Sequence, residues 1–167
     1  MLENALKQAI HASEEERVKI FANIAQTPET SLKELAALLQ RPAKHVWSAA
    51  LQVIRVLGYP GNAAILPLVV EHLVDGNWPG WGDAIDVLRD IDPAVVAPLL
   101  VAIFLEQGKK REYWGSDVEG ICMALVHLGK EYITPCIPSI LFVLARRQGL
   151  DDPDPDFLLQ VLEKAAI

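Results

Sequence analysis

The chain has 167 residues, of which 51% are hydrophobic and 7% aromatic, and its formal net charge is −7. A chain of this length and apolar content can bury a core of its own, which excludes an intrinsically disordered protein. The acidic balance argues against a protein that wraps nucleic acid, because phosphate contacts need a basic face.

Cysteine usage and the N-terminal residues indicate the compartment. Cys122 and Cys136 each lie in an apolar stretch and form no Cys-x-x-Cys pair, which predicts buried, reduced thiols and no disulfide framework. The N-terminus lacks the charged-then-apolar pattern of a signal peptide. No uncharged stretch reaches the roughly 20 residues of a membrane span. We therefore expect a cytoplasmic protein with no membrane partner.

Helix-start and helix-stop signals recur along the chain. Three Ser-x-x-Glu sequences fit capping boxes, at residues 13–16, 31–34 and 116–119. Asp92 precedes Pro93 as a cap residue precedes a first-turn proline, and Gly58 and Gly129 stand where helices are expected to end. No window shows the alternation of a strand. The predicted helices are 2–11, 14–26, 32–40, 43–57, 62–75, 80–90, 93–107, 116–128, 130–147 and 155–165.

Residues 84–100 recur in residues 121–137 at an offset of 37. The matched pairs are Leu88 with Leu125, Ile91 with Leu128, Val96 with Ile133 and Pro98 with Pro135. A looser copy runs through Leu57 and Pro67. A period of this size with helical spacing inside each copy predicts a stacked helical repeat. Because Pro67, Pro98, Pro135 and Pro138 lie inside helical patterns and proline recurs there at equivalent points, we expect a kink that the copies share.

Paired helices with a proline in the first helix resemble HEAT-like repeats. Residues 57–60, 65–67 and 75–79 resemble a bacterial HEAT-like domain family of unknown function, in which a proline-bearing helix is followed by the turn seen here as Asn77-Trp78-Pro79. The resemblance covers about residues 50–147. The second copy reads Tyr113-Trp114-Gly115, so it keeps the tryptophan and loses the proline.

This resemblance implies an all-α fold, an armadillo-like α-α superhelix in which HEAT-like helix pairs stack as a right-handed solenoid. We expect a single all-helical domain over residues 1–167. It would comprise an N-terminal helical segment (1–42), HEAT-like repeats (43–147), and an acidic turn with a C-terminal capping helix (148–167). The family implies a fold and no catalytic residues.

Aromatic and acidic residues gather at the predicted turns between helix pairs. Neighbouring turns of a stacked array lie side by side, so these residues are expected to line a groove that binds a peptide or a partner helix. In the alternative interpretation, the tryptophans close the ends of the repeats and belong to the core. The candidate binding residues are Asn77, Trp78, Trp81, Asp83, Tyr113, Trp114 and Asp117.

Residues 31–57 carry a net charge of +3 and follow a helix-turn-helix pattern. This segment resembles winged-helix DNA-binding proteins. It departs from them at Gln40, where a turn glycine is usual, and after Gly58, where a further helix is predicted in place of a wing. In this alternative, the DNA-contacting residues are Arg41, Lys44, His45, Trp47 and Ser48.

No pattern in the sequence predicts a reaction. The four histidines form no metal-binding pair, and the chain has no phosphate-binding glycine loop or nucleophile elbow. Acidic pairs such as Asp83 with Asp86 lie near helix starts, where they favour the helix dipole. We therefore expect a non-enzymatic scaffold or protein-binding module with no metal or cofactor. The alternatives are a DNA-binding regulator and, by analogy with small arrays of this kind, a bacterial immunity or toxin-associated protein.

Overall fold

The computed structural model describes residues 2–26, 28–40, 44–107, 114–147 and 156–166. All regular structure in these ranges is helical, which confirms the all-α prediction. The chain divides into two compact units, residues Met1–His72 with Trp78–Ile91 and residues Leu73–Asn77 with Asp92–Ile167. Within the described ranges, no helix has the length and apolar character needed to cross a membrane.

The described part of the first unit contains six α-helices. They are α1 (Leu2–His11), α2 (Glu14–Ala25), α3 (Pro28–Leu39), α4 (Trp47–Leu57), α5 (Leu66–Glu71) and α6 (Trp81–Arg89). Short 3-10 turns at Lys44–Val46 and Ala63–Ile65 lead into α4 and α5.

Two predicted capping boxes have different outcomes in this unit. The Ser13 hydroxyl accepts from the backbone N–H of Glu16 at 3.3 Å, and the Glu16 carboxylate accepts from the N–H of Ser13 at 3.2 Å, as predicted. The box predicted at 31–34 is wrong, because α3 already begins at Pro28. Ser31 lies inside α3, where its hydroxyl donates to the carbonyl of Ile24 at 2.7 Å and joins α3 to α2.

The core of the first unit is built around α4, which packs against α1, α2, α3 and α6. Its apolar residues recur at helical spacing, and Ala50, Leu51, Val53 and Ile54 are completely buried. α4 ends at Gly58, which has a φ of 60° and donates its N–H to the carbonyl of Arg55. The predicted helix stop at Gly58 is confirmed.

The second unit contains the later helices. They are α7 (Pro93–Gln107), α8 (Trp114–Leu128), α9 (Lys130–Ile133), α10 (Ile137–Arg147) and α11 (Asp156–Ala166), with a 3-10 turn at Thr134–Cys136. The Asp92 carboxylate accepts from the N–H of Ala94 at 2.8 Å, which confirms the predicted cap before Pro93. Since α8 begins at Trp114, the capping box predicted at 116–119 is wrong.

The prolines at equivalent repeat positions occupy different positions in the helices. Pro98 lies inside α7, whereas Pro67 is in the first turn of α5 and Pro135 is in the first turn of the 3-10 segment. Pro67 and Pro135 each lie where a 3-10 turn and an α-helix meet within one run of helical residues, at 63–71 and 130–147 respectively. The kink that these prolines are expected to share therefore stays a prediction.

The apolar positions matched by the 37-residue offset are buried in both copies. Leu88 and Leu125 are both 0% exposed. The matched pairs Ile91 with Leu128 and Val96 with Ile133 are also buried, whereas Pro98 and Pro135 are exposed in both copies. The repeat in the sequence thus corresponds to a repeat in burial.

Both cysteines of the second unit are buried, as the sequence predicts, and no disulfide joins them. Burial raises the pKa of the Cys136 thiol to about 11, because the charged thiolate is poorly solvated there. At neutral pH this thiol is therefore protonated and acts as a small apolar side chain.

Candidate functional site

Three aromatic rings meet in the first unit. Trp47 is the first residue of α4, His72 directly follows α5, and Trp78 lies in the turn before α6. The ring centroids of Trp47 and His72 are 4.7 Å apart, those of Trp47 and Trp78 are 5.3 Å apart, and those of His72 and Trp78 are 5.6 Å apart. Each ring therefore contacts both others, in tilted or edge-to-face arrangements that suit aromatic quadrupoles.

The turn that carries Trp78 lies very close to α4. Gly80 in this turn has a φ of 89°, a conformation that favours glycine. A Cβ atom on Gly80 would lie 2.8 Å from Cδ1 of Leu51 and 3.2 Å from the backbone N of Ser48. Glycine is thus favoured at this position for two reasons, the positive φ and the lack of space for a Cβ atom. Its close approach to α4 places the turn beside Trp47.

The two buried rings of this cluster also form hydrogen bonds with the backbone at the C-terminal end of α3. The Nε1–H of Trp47 donates to the carbonyl of Leu38 at 3.1 Å, and the His72 ring is hydrogen-bonded to the backbone of Leu39. The last carbonyls of a helix have no partner within it, so these ring N–H groups satisfy them. Trp47 is 5% exposed and His72 is 3% exposed, so both are core residues.

Burial controls the protonation of His72. It lowers the pKa of the imidazole to about 4, and the hydrogen bond to Leu39 opposes this shift only in part. The ring is therefore neutral at pH 7. Its Nδ1 atom is buried without a hydrogen-bond partner.

Lys44 connects this buried cluster to the surface. Its side chain is exposed, and its Nζ atom is 5.7 Å from the ring centroids of both Trp47 and Trp78. This distance is within the range of cation–π attraction. Trp78 itself is only partly buried. We call the group formed by Lys44, Trp47, His72 and Trp78 the Lys44–Trp78 patch.

Asp83 on α6 is bound to α4. The hydroxyl of Ser48 donates to Asp83 Oδ2 at 2.6 Å, and the amide Nε2 of Gln52 donates to Asp83 Oδ1 at 2.9 Å. Both donors are neutral and come from one face of α4, one helical turn apart. The Asp83 carboxylate, which was predicted to lie at the rim of a groove, therefore joins α6 to α4 through hydrogen bonds.

Arg55 continues this contact one turn further along α4. Its guanidinium pairs with Asp90 at 2.6 Å and with Asp86 at 3.0 Å, while Arg89 also pairs with Asp86 at 2.8 Å. The hydrogen bond to Asp90 raises the pKa of Arg55. We call this row of contacts the α4–α6 polar seam, formed by Ser48, Gln52, Arg55, Asp83, Asp86 and Asp90.

The polar seam engages Ser48, one of the side chains that a helix-turn-helix protein would turn toward base edges. Ser48 and Trp47 are engaged inside the unit, and three carboxylates of α6 occupy the same side. Of the DNA-contacting candidates, Lys44 and His45 are exposed, and Arg41 lies outside the described residues. Carboxylates beside this helix would repel phosphates.

The other protein-binding candidates are distributed over the two units, and three of their side chains lie outside the described part of the chain. Trp81 is partly buried at the start of α6, in the first unit. Asn77 belongs to the second unit, where it is exposed and donates its N–H to Asp75 Oδ1 at 2.9 Å. Tyr113 lies outside the described residues, as do the side chains of two candidates on α8, Trp114 and Asp117.

Each unit also has a concave region. In the second unit, a cavity of about 130 Å³ is lined by Asp75, Asn77, Glu119 and Met123, among others. In the first unit, an open groove between α1 and α2 is lined by residues that include Lys7 and Lys19, which pair with Glu3 and Glu15. Among the described residues, no group of three or more His, Cys, Asp or Glu is placed to hold a metal ion.

Sequence reasoning missed His72, Gln52 and Arg55. His72 had no local signal, because its ring contacts come from residues distant in sequence. For Gln52 and Arg55 a signal was present. They follow Ser48 at helical spacing on α4, and Asp83, Asp86 and Asp90 have a similar spacing on α6. Two polar stripes of this kind can pair, but the sequence does not show which helices are neighbours.

Comparison with known proteins adds no relative of this chain. No protein-family model matches the sequence, and neither a curated protein nor a solved structure matches it. The resemblance to HEAT-like repeats therefore stays a prediction.

Proposed function

We propose that the protein is a non-enzymatic protein-binding module and that the Lys44–Trp78 patch contacts its partner. The observation that carries this proposal is the partly exposed ring of Trp78, held by two buried rings and flanked by an exposed cation. Tryptophan is enriched among the residues that dominate binding energies at protein interfaces. A ring that is already held in place loses little conformational entropy on binding, which favours this position.

The architecture that we propose for the module is a right-handed superhelix of HEAT-like helix pairs. Equal burial of Leu88 and Leu125, at the 37-residue offset, supports it. An experimental structure of the full chain tests this part directly. Residues 84–100 and 121–137 should superpose as equivalent parts of successive helix pairs, and pairs that do not stack in one direction would contradict it.

Capture from lysate followed by titration tests the binding proposal. The full chain, Trp78→Ala, Trp78→Phe and Lys33→Gln are used as baits, and each protein retained by the wild type is purified and titrated. Lys33 is exposed on α3 and serves as the surface control. We expect Trp78→Ala to weaken affinity about tenfold or more and Lys33→Gln to leave it unchanged.

Circular dichroism and thermal unfolding of each variant show whether the fold is retained. Trp78→Phe keeps an aromatic ring in the cluster, so it provides the test if truncation to alanine unfolds the unit. A partner whose affinity is the same for wild type, Trp78→Ala and Trp78→Phe contradicts the proposal. The identity of the captured protein would also decide the hypothesis of an immunity or toxin-associated role.

A further inference from the structure

We infer that the Lys44–Trp78 patch binds an acidic peptide segment of its partner, with a carboxylate beside the Lys44 ammonium group and an apolar side chain against the exposed part of Trp78. This inference rests on the proposed function and adds the chemistry of the partner.

The first argument is that Lys44 is a cation without an acidic partner in an acidic chain. Most other cations described in the first unit are engaged by carboxylates or backbone carbonyls. These are Lys7 with Glu3, Arg17 with the carbonyls of Ala9 and Ala12, Lys19 with Glu15, and Arg55 and Arg89 with the acids of α6. Among the described lysines and arginines of this unit, Lys33 and Lys44 have no such partner, and Lys44 alone of the two lies over aromatic rings.

The second argument is that the cation is placed by a rigid support. Trp47 is fixed by its hydrogen bond to Leu38, and Trp78 rests on Trp47 and His72. The Lys44 ammonium lies at equal distance, 5.7 Å, from both indole rings. An ammonium group has three donors, so it can bind a carboxylate on its solvent side and keep its attraction to the rings. The apolar face of Trp78 and the positive charge of Lys44 thus lie side by side. A peptide with a carboxylate next to an apolar side chain could contact both.

The third argument distinguishes an acidic peptide from nucleic acid. A nucleic acid brings a regular row of phosphates and needs several cations to bind it. The patch offers Lys44 with the neighbouring His45, while the adjacent helix α6 carries Asp83 and Asp86 and is followed by Asp90. A peptide can place one carboxylate at Lys44 and keep other charges away from α6. Charge complementarity at this patch therefore favours a peptide.

Selection from a random peptide display library tests the inference without knowledge of the natural partner. The full chain is the bait, and Lys44→Gln, Lys33→Gln and Trp78→Ala are the comparison baits. We expect the peptides retained by wild type and by Lys33→Gln to be enriched in Asp and Glu next to aromatic or aliphatic residues. The same peptides should be depleted on Lys44→Gln and on Trp78→Ala.

Titration of one selected peptide, with its Asn/Gln counterpart as control, gives the size of the effect. We expect Lys44→Gln to weaken binding about fivefold at low salt, and this difference to vanish in 1 M NaCl, as for an exposed charge pair of about 1 kcal/mol. In ¹H–¹⁵N spectra, the indole signal of Trp78 should shift. A 20-base-pair DNA duplex is titrated in parallel.

The outcomes separate this inference from the proposed function. Selected peptides that need Trp78 but show no acidic enrichment, or that bind Lys44→Gln as tightly as wild type, overturn the acidic partner and leave the protein-binding proposal intact. If the wild-type bait retains no peptides that the Trp78→Ala bait does not also retain, the result contradicts both the acidic partner and the protein-binding proposal. A duplex that shifts the Trp78 signal when no peptide does would assign the patch to nucleic acid and overturn both.

Discussion

The helices inside each of the two units are held together by different kinds of contact. In the first unit, α4 and α6 are joined by the polar seam, and the rings of Trp47 and His72 form hydrogen bonds with the backbone at the end of α3. In the second unit, α7 carries no charged residue from Pro93 to Leu105, and α8 approaches the backbone of residues 73–74 at Gly120. Directional contacts between side chains therefore join α4 to α6 in the first unit, whereas a close backbone contact joins α8 to residues 73–74 in the second.

This difference predicts where each unit is sensitive to substitution. An exposed ion pair contributes about 1 kcal/mol or less, because water and salt screen it. An added atom in a close backbone contact costs more, because the backbone has to move. The strongest response is therefore expected at the tight contact in the second unit, and the weakest at the exposed end of the polar seam.

Gly120→Ala should give the largest effect. A Cβ atom on Gly120 would lie 2.5 Å from the carbonyl oxygens of both Leu73 and Val74, which are backbone atoms that cannot rotate away. We expect a loss of about 3 kcal/mol in the free energy of unfolding, measured by urea denaturation. Gly82→Ala is the control, since a Cβ there meets nothing within 4 Å, and it should stabilise α6 by about 0.5–1 kcal/mol. Equal effects of the two substitutions would remove the contrast between the units.

His72 should make the first unit sensitive to acid. Because burial lowers the pKa of His72 from 6.5 to about 4, the unfolded chain binds this proton at a higher pH than the folded chain. The stability that neutral His72 contributes to the folded chain is fully present above pH 6.5. It is lost as the pH falls toward 4, where the free energy of unfolding is lower by up to about 3 kcal/mol. Urea denaturation between pH 7 and 4 should show this loss in wild type and in His45→Gln, and a smaller loss in His72→Phe. Identical pH profiles for His72→Phe and wild type would show that His72 is not buried as a neutral ring.

Asp83→Ala tests the buried end of the polar seam. In a partly buried position, the substitution leaves the hydroxyl of Ser48 without its acceptor and leaves the amide of Gln52 with only the longer contact to Ser48 Oγ, at 3.4 Å. We expect a destabilisation of about 2 kcal/mol. A double-mutant cycle with Gln52→Ala should give a coupling free energy of about 1 kcal/mol. Strictly additive effects would mean that Asp83 and Gln52 do not interact in solution.

Arg55→Met should give the smallest effect. The side chains of Arg55, Asp86 and Asp90 are 44%, 40% and 51% exposed, so their ion pairs are well screened. We expect a loss of about 1 kcal/mol or less that disappears in 1 M NaCl. Lys19→Met breaks a more exposed pair with Glu15 and should have still less effect. An Arg55→Met loss that persists in high salt would indicate that the alkyl part of Arg55 packs on α6.

Most helices could be predicted from the sequence, but some of their starts could not. Ser13 and Glu16 form the box that their spacing predicts, and Gly58 ends α4. Ser31 has the same local sequence signal as Ser13, yet it lies inside a helix that begins at Pro28. The hydroxyl of Ser31 finds its acceptor, the carbonyl of Ile24, on the preceding helix. A tertiary hydrogen bond thus replaces the cap that the local pattern favours.

The candidate site was predictable only in its parts. Trp78 and Lys44 were both identified from the sequence, but they belonged to two competing hypotheses, a protein-binding groove and a DNA-binding segment. The structure brings them into one patch, because the turn before α6 lies against the start of α4. Asp83 was expected at the rim of a groove, and it instead binds Ser48 and Gln52.

The sequence by itself determined the helical class, the apolar faces and the 37-residue recurrence of buried positions, because these depend on spacing along the chain and on the hydrophobic effect. Only the tertiary structure decided which polar and aromatic side chains meet. The contacts of Trp47 with Trp78 and of Arg55 with Asp86 each join residues 31 apart. Such contacts depend on which helices are neighbours, and that choice follows from packing of the whole unit, which no local pattern contains.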